Sequence, residues 1–263
     1  MTPSYNQGRF IEETIRSVLL QGYPNLEYII IDGGSSDNSV EIIRKYERWL
    51  TYWTSERDRG QAHAINKGFE KSKGVIDAYL NSDDFYMPNA LNYCVDSFSR
   101  LRWDLFIGTS EIRYFGSWKW IRRSWWLTEK RILPLPFLIG STRYGVSQES
   151  TFWTHKNFAN KRFDETLHFC LDVDWYCQIA RGAKIALSSH RIGYFRRHPE
   201  SKTSKLKDLA NTEIALISAR EEIKGIDRIG NLSVWKSYRN WFPILAAVKL
   251  LSGAAEFVYV HPQ

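Results

Sequence analysis

At 263 residues, 43% hydrophobic and 25% charged, the chain is long enough for one large α/β domain or two small ones, and its composition excludes a disordered or low-complexity polymer. Its 36 Lys+Arg against 29 Asp+Glu leave a net charge of +7, which favours anionic partners such as nucleotide diphosphates, anionic lipids or nucleic acid. The three cysteines, Cys94, Cys170 and Cys177, have neither CxxC nor Cys/His metal spacing and read as reduced core residues of a cytosolic protein.

Met1 runs straight into Thr2-Pro3-Ser4-Tyr5-Asn6 without the apolar stretch of a signal peptide. No segment reaches the ~20 apolar residues of a membrane span. The nearest, residues 241–251, is short and holds Pro243 and Lys249. A cytoplasmic protein, able to rest on a membrane surface, is the expectation. In a sheet of the kind described next, a strand should precede Thr2-Pro3-Ser4. Only Met1 stands there, so the first strand is expected to be missing.

Phe10, Ile11, Thr14, Ile15, Val18 and Leu19 keep helical spacing and predict an amphipathic helix over 9–20. Tyr28-Ile29-Ile30-Ile31 is a continuous apolar run, as in a strand buried on both faces of a parallel sheet. It ends in Asp32-Gly33-Gly34-Ser35-Ser36-Asp37-Asn38, a dense turn signal with Asn38 or Ser39 as helix N-cap. A helix to about Trp49, a strand near Tyr52-Trp53-Thr54, a helix over 61–73 and a strand over 75–80 follow. This β-α-β-α order implies a parallel, right-handed sheet. Later strands are expected over 105–107 and 111–115, and helices over 172–181 and 204–224.

Carboxylates at strand ends carry the chemical signal. Ligands of open α/β sheets bind at the carboxyl ends of the strands, where Asp32, Asp83 and Asp84 are placed. A carboxylate there can accept from a base or ribose, or hold a hard cation that bridges phosphates. Singly, such residues are ordinary turn formers; their joint arrival in one α/β unit points to a nucleotide site.

The motifs Thr2-Pro3-Ser4-Tyr5-Asn6, Ile31-Asp32-Gly33-Gly34-Ser35-Ser36-Asp37, Asp58-Arg59-Gly60-Gln61 with Ala64-Ile65-Asn66-Lys67-Gly68, and Leu80-Asn81-Ser82-Asp83-Asp84 occur in this order. They continue through Gln148-Glu149-Ser150-Thr151-Phe152-Trp153, Leu171-Asp172-Val173-Asp174-Trp175 and His198-Pro199-Glu200-Ser201-Lys202-Thr203. Over residues 2–203 the chain resembles family 2 glycosyltransferases. The resemblance implies an α/β GT-A fold: a mostly parallel nucleotide-binding sheet flanked by helices. It also implies inverting transfer from a nucleotide-sugar, with a UDP-sugar favoured, and Mg²⁺ or Mn²⁺ as cofactor. It divides the chain into a donor half, 1–100, an acceptor half, 101–203, and a helical, basic and aromatic C-terminal extension, 204–263.

Carried over position by position, the resemblance puts Pro3, Ser4 and Tyr5 beside the donor's nucleobase, with Asp32 on its polar edge. Asp58, Gly60 and Gln61 fall against ribose and phosphates, with Asn66 and Lys67 nearby. Asn81-Ser82-Asp83 takes the place of the family's Asp-x-Asp metal motif, its first carboxylate replaced by Asn81. Asp83 becomes the principal metal ligand with Asp84 assisting, and Ser82 joins the donor-binding residues. Asp172 takes the position of the catalytic base, which accepts the proton of the attacking hydroxyl. Asp174 is the alternative base; both also suit the first turn of a helix. His198 is read as a metal or diphosphate ligand, a role open to Lys202 and Thr203 as well. Gln148 and Trp153 are read as an acceptor wall, with Trp153 in the core as the competing reading. Asp77 interrupts an apolar strand and would need a partner if buried.

Residues 118–131 and 235–249 mix tryptophan with Arg and Lys, which suits an anionic membrane surface or a solvated face. Nucleic acid could use such stretches too, but the ordered carboxylates argue against it. The expected partners are a nucleotide-sugar donor and a glycan or lipid-linked acceptor.

Overall fold

The structure is a computed structural model that describes residues 1–114, 120–122, 146–180, 183–220 and 256–260. In chain order it forms β1 (Thr2–Ser4), α1 (Ile11–Leu19), β2 (Ile29–Asp32), α2 (Ser39–Lys45), β3 (Tyr52–Ser55), α3 (Gln61–Lys71), β4 (Ile76–Asp77), β5 (Phe85–Tyr86) and α4 (Ala90–Leu101). Then come β6 (Leu105–Tyr114), β7 (Trp120–Arg122), β8 (Thr151–Thr154), α5 (His155–Phe158), α6 (Leu171–Ala180), β9 (Lys184–Arg197), α7 (Lys202–Lys205), α8 (Lys207–Arg220) and β10 (Glu256–Val260).

β1, β2 and β3 pair in parallel in that spatial order, with α1 and α2 as crossovers. Alternation along β2 shows why its isoleucine run is continuous. Ile30 packs in a cluster with Ile11 and Ile15 of α1 and Ile42 and Ile43 of α2, whereas Ile29 and Ile31 pack with Ala64 of α3. Both faces of the strand are covered, and truncating Ile30 to Ala would cost about 2–5 kcal/mol. Amphipathic spacing in α1 has the same origin: Ile11, Thr14, Ile15 and Val18 are buried while Glu12 and Glu13 stay outside.

The expectation of a missing first strand is corrected. Thr2–Ser4 is itself β1, in register with Ile30 to Asp32. Pro3 is tolerated because β1 pairs with one strand only, so its absent N–H breaks no ladder bond. Met1 links this sheet to the second one: its amino group donates to the Ala78 carbonyl (2.8 Å), and its carbonyl accepts from Leu80 N–H (2.9 Å).

The second sheet is mixed, with path β10-β9-β6-β8-β4, β5 added to β9 and β7 to β6. Residues 75–80 were expected as one parallel strand; only Ile76–Asp77 form a ladder, antiparallel to β8. β9 runs parallel to β6 over most of its length and ends at Arg197, which delivers His198 to the edge of the first sheet. Ala210 and Ile217 of α8 share the cluster of Leu171, Trp175 and Ile179 of α6, so α8 is part of the core that packs on the second sheet. All three cysteines are buried thiols. Residues 118–119, 123–131 and 235–249, and most of 221–263, lie outside the described residues.

Candidate active site

The ends of β1, β2 and β3 and the loop after β4 form a ring of loops closed by hydrogen bonds. Gly33 N–H donates to the Ser4 carbonyl (2.8 Å), and Asn6 N–H to Ser35 Oγ (2.7 Å). Tyr5, 62% exposed, stands at the rim beside Asn6, whose φ of 52° turns the chain there. A Cβ on Gly33 would meet the Asp58 carboxylate at 2.7 Å, so any larger residue there would displace that side chain. Gly60 has φ 117°, a conformation L side chains rarely adopt. Its N–H is held by Asp58 Oδ1 (2.8 Å), and it starts α3 with open space in front.

Asp32 is fully buried. Its Oδ2 accepts from the N–H groups of Gly34 (3.1 Å) and Ser35 (2.9 Å) and from Ser55 Oγ (2.7 Å), and its Oδ1 accepts from Ser35 Oγ (2.6 Å). It therefore builds the β2 turn before it touches any ligand. Asn66 and Lys67 are likewise engaged elsewhere. The Asn66 amide bonds to the Phe163 backbone through both its groups (2.9 and 3.0 Å) and to Glu165 Oε1 (3.1 Å), while Lys67 pairs with Glu56.

At the centre Asp83 Oδ2 and His198 Nε2 are 3.0 Å apart. The His198 ring leans on Phe10, with centroids 4.4 Å apart. Ser82 is buried and its carbonyl accepts from Thr14 Oγ1 (2.9 Å). Asp84 lies beneath: its Oδ1 accepts from Arg196 N–H (2.8 Å), and its own carbonyl accepts from Thr14 Oγ1 (2.6 Å). Burial, with Asp83 and Glu149 nearby, pushes the Asp84 carboxyl well above the usual range. The Arg196 guanidinium is buried against Glu13 Oε2 (2.8 Å) and the rings of Phe10 and Phe85.

Gln61 spans the cleft. Its Nε2 donates to Asn81 Oδ1 (2.7 Å) and its Oε1 accepts from Lys202 Nζ (2.6 Å), which also donates to the His168 carbonyl (3.0 Å). Asn81 thus serves as an acceptor for Gln61, a bond that a carboxylate there could also accept. Enclosure of the Lys202 ammonium lowers its pKa, while Asp172, Glu213 and Asp83 pull it back up. The Asp83 and Asp172 carboxylates are thus both within electrostatic reach of Lys202.

Asp172 and Asp174 open α6 two residues apart, about 200° around the helix, so they face opposite ways. Asp172 Oδ1 accepts from Val173 N–H (2.9 Å) and its charge is felt by Lys202. Asp174 is buried and accepts from Gln178 Nε2 (2.7 Å).

The acceptor-wall reading of Trp153 is corrected: it is 2% exposed and packs edge-on against Phe69, Tyr79 and Trp175, so its ring faces are already covered. Gln148 is also buried, donating to the Tyr79 carbonyl, and its Oε1 is enclosed without a hydrogen-bond partner. Arg196 and Glu213 were not foreseen; a charged residue in a strand or helix carries no local sign of the contacts that bury it.

Asp83 and His198 fit a hard divalent cation in one respect: two donor atoms converge at one point of the cleft. No group of three or more His, Cys, Asp or Glu ligands occurs among the described residues, so phosphate oxygens and water would have to complete the shell, as Mg²⁺ sites commonly require. No helix among the described residues is long and apolar enough to cross a membrane.

Comparison with known proteins bears on the fold and the family. TuaG of Bacillus subtilis, a glycosyltransferase named for teichuronic acid biosynthesis, is 38% identical over 96 residues, 35% of this chain and 37% of TuaG. The chain spans about a third of the length of the curated relatives it matches. S. aureus TarS, residues 1–349 in complex with UDP-GlcNAc, superposes with TM-score 0.65 at 17% identity, over 82% of this chain and 64% of that one. The mannosyltransferase PcManGT of Pyrobaculum calidifontis, in complex with GDP-Man and Mn²⁺, gives 0.56 at 16%, over 95% and 85%. These solved structures share the fold. The model of "Glycosyl transferase family 2" matches residues 1–171, and the chain belongs to that family.

Proposed function

We propose that the chain transfers a sugar, with inversion, from a nucleotide-diphosphate sugar to a hydroxyl of a glycan or lipid-linked acceptor in polysaccharide or glycolipid synthesis. A UDP-sugar is the favoured donor, since the neighbour TarS was solved with UDP and UDP-GlcNAc. The observation that carries the reading is the pairing of Asp83 with His198 at the strand ends, beside the Gln61 side chain that bonds both Asn81 and Lys202.

In this reading Tyr5 and the Asp32 turn border the base, and Asp58, Gly60 and Gln61 the ribose and phosphates. Asp83 and His198 would hold the cation, which when bound supplies charge neutralisation to the departing diphosphate. The Lys202 ammonium adds a positive charge on the same side. Asp172 takes the proton as the acceptor oxygen bonds to the anomeric carbon and the bond to the diphosphate oxygen breaks. Asp174, turned to Gln178, is left with a structural role.

Thermal unfolding with UDP, GDP, TDP and CDP, each with Mn²⁺ and again with EDTA, tests donor and metal together. One nucleotide should raise Tm by several degrees, with loss of the shift in EDTA. Turnover of the matching donor by Asp172→Asn tests the base: a fall of orders of magnitude with donor binding retained supports it, and full activity overturns it.

A further inference from the structure

Among the buried charges, Glu213 on α8 is the one whose contacts lead straight to the proposed base. It is 5% exposed, and three consecutive backbone N–H groups converge on its carboxylate. His168 N–H donates to Oε1 (2.8 Å), and those of Phe169 (2.9 Å) and Cys170 (2.7 Å) donate to Oε2. These residues form the turn immediately before α6, and the Cys170 carbonyl accepts Asp174 N–H in the first turn of that helix. Residue 168 is gripped from both sides, its N–H by Glu213 and its carbonyl by Lys202 Nζ (3.0 Å). The base on which Glu213 stands is rigid, because Ala210 and Ile217 of α8 pack in one cluster with Cys170, Leu171 and Trp175.

We infer that Glu213 is a positioning residue: by fixing the backbone of 168–170 it sets where α6 begins and so where Asp172 projects into the cleft. The inference rests on the reading of Asp172 as base. A charged acceptor is required, since three N–H donors point at two oxygens. Glutamine would replace one of those oxygens with an NH₂ that faces donors. Aspartate keeps the charge but falls one methylene short. The residue touches no substrate and acts only through the turn. Misplacement of a reacting group by about 1 Å can cost about a hundredfold in rate, whereas the donor loops at Asp58, Gly60 and Asp83 hang on other elements.

The test measures nucleotide release from the donor selected by the thermal screen, well below Tm, for the whole chain and four variants. Glu213→Gln should lower kcat about 10- to 100-fold with donor KM unchanged, and Glu213→Asp should recover part of the loss. Ile217→Ala, which weakens the same helix in its core, should lower Tm without lowering kcat. Amide exchange at residues 168–170 should quicken in the Glu213 variants. Unchanged kcat in Glu213→Gln, or a fall matched by Ile217→Ala at equal loss of Tm, overturns the inference; if Glu213→Gln does not fold, Glu213→Asp against Ile217→Ala decides it by the same comparison. Asp172→Asn separates the two claims. If it abolishes turnover while the Glu213 variants do not, positioning alone is wrong; if it leaves turnover intact, the base assignment itself has failed.

Discussion

Asp83 Oδ2 and His198 Nε2 stand 3.0 Å apart, bridging 115 residues of sequence at the point where the first sheet meets the end of β9. With a shared proton between them they are a hydrogen-bonded pair; with a cation between them they are two ligands, and one arrangement must replace the other. Asp83→Ala and His198→Ala should each remove the EDTA-sensitive part of the nucleotide-induced Tm rise. That part is on the order of 2–3 kcal/mol at a ligand concentration about a hundredfold above Kd. An undiminished Mn²⁺-dependent shift in His198→Ala would leave Asp83 without its partner ligand.

Asp32 presents a different case, since all four of its hydrogen bonds go to its own neighbourhood. Asp32→Ala would strip a buried turn of two N–H acceptors and two hydroxyl partners. Bonds to charged groups contribute roughly 1.5–3 kcal/mol each, not additively, so the nucleotide-free protein should lose about 3 kcal/mol or more in urea unfolding. A variant of full stability that merely binds nucleotide less well would show that Asp32 is a ligand contact alone.

The charge inside β4 is explained by a clamp. Asp77 Oδ1 accepts from Ser72 Oγ (2.5 Å) at the end of α3, and Oδ2 meets His155 Nδ1 (2.6 Å) at the start of α5. Asp77→Ala leaves both partners short of an acceptor and should destabilise by about 1–3 kcal/mol. The clamp ties β4 to the end of α3 and the start of α5, before the 81–84 loop enters the cleft, so donor KM and kcat should hold. A loss of turnover at preserved stability would place Asp77 in the site.

The legible parts of this molecule are those fixed by neighbours in sequence. The isoleucines of β2, the spacing of α1 and the acidic turns after Ile31 and Leu80 each follow from backbone periodicity and turn chemistry within a few residues. What stayed hidden depends on partners far away. Asn66 is claimed by Phe163, 97 residues on, and Glu213 by a turn some 43 residues earlier. Trp153 looked available to a sugar because an aromatic in a motif carries no mark of the three rings that enclose it. β4 was read as parallel because its apolar run resembles β2; Asp77, drawn to Ser72 and His155, is where it departs.

A pH dependence of stability follows from the amino terminus. Met1's α-amino group is buried, and burial lowers its pKa from 8.0 to about 6, against the upward pull of Asp77 and Glu27. The unfolded chain then binds a proton that the folded one resists between these two values, so stability must rise with pH across that window. The contribution is fully present above pH 8 and is lost as pH falls toward 6, at about 2–3 kcal/mol for two units. The group opens onto a cavity of about 380 Å³ between β2 and β4, lined by Val18, Leu26, Tyr28, Ile76 and Leu80 among others. Three β-branched apolar residues added ahead of Met1 would replace the amine with an uncharged amide whose N–H can still donate to the Ala78 carbonyl. In that variant the pH 6–8 step should vanish and Tm should rise, whereas a step that persists would show that another group sets it.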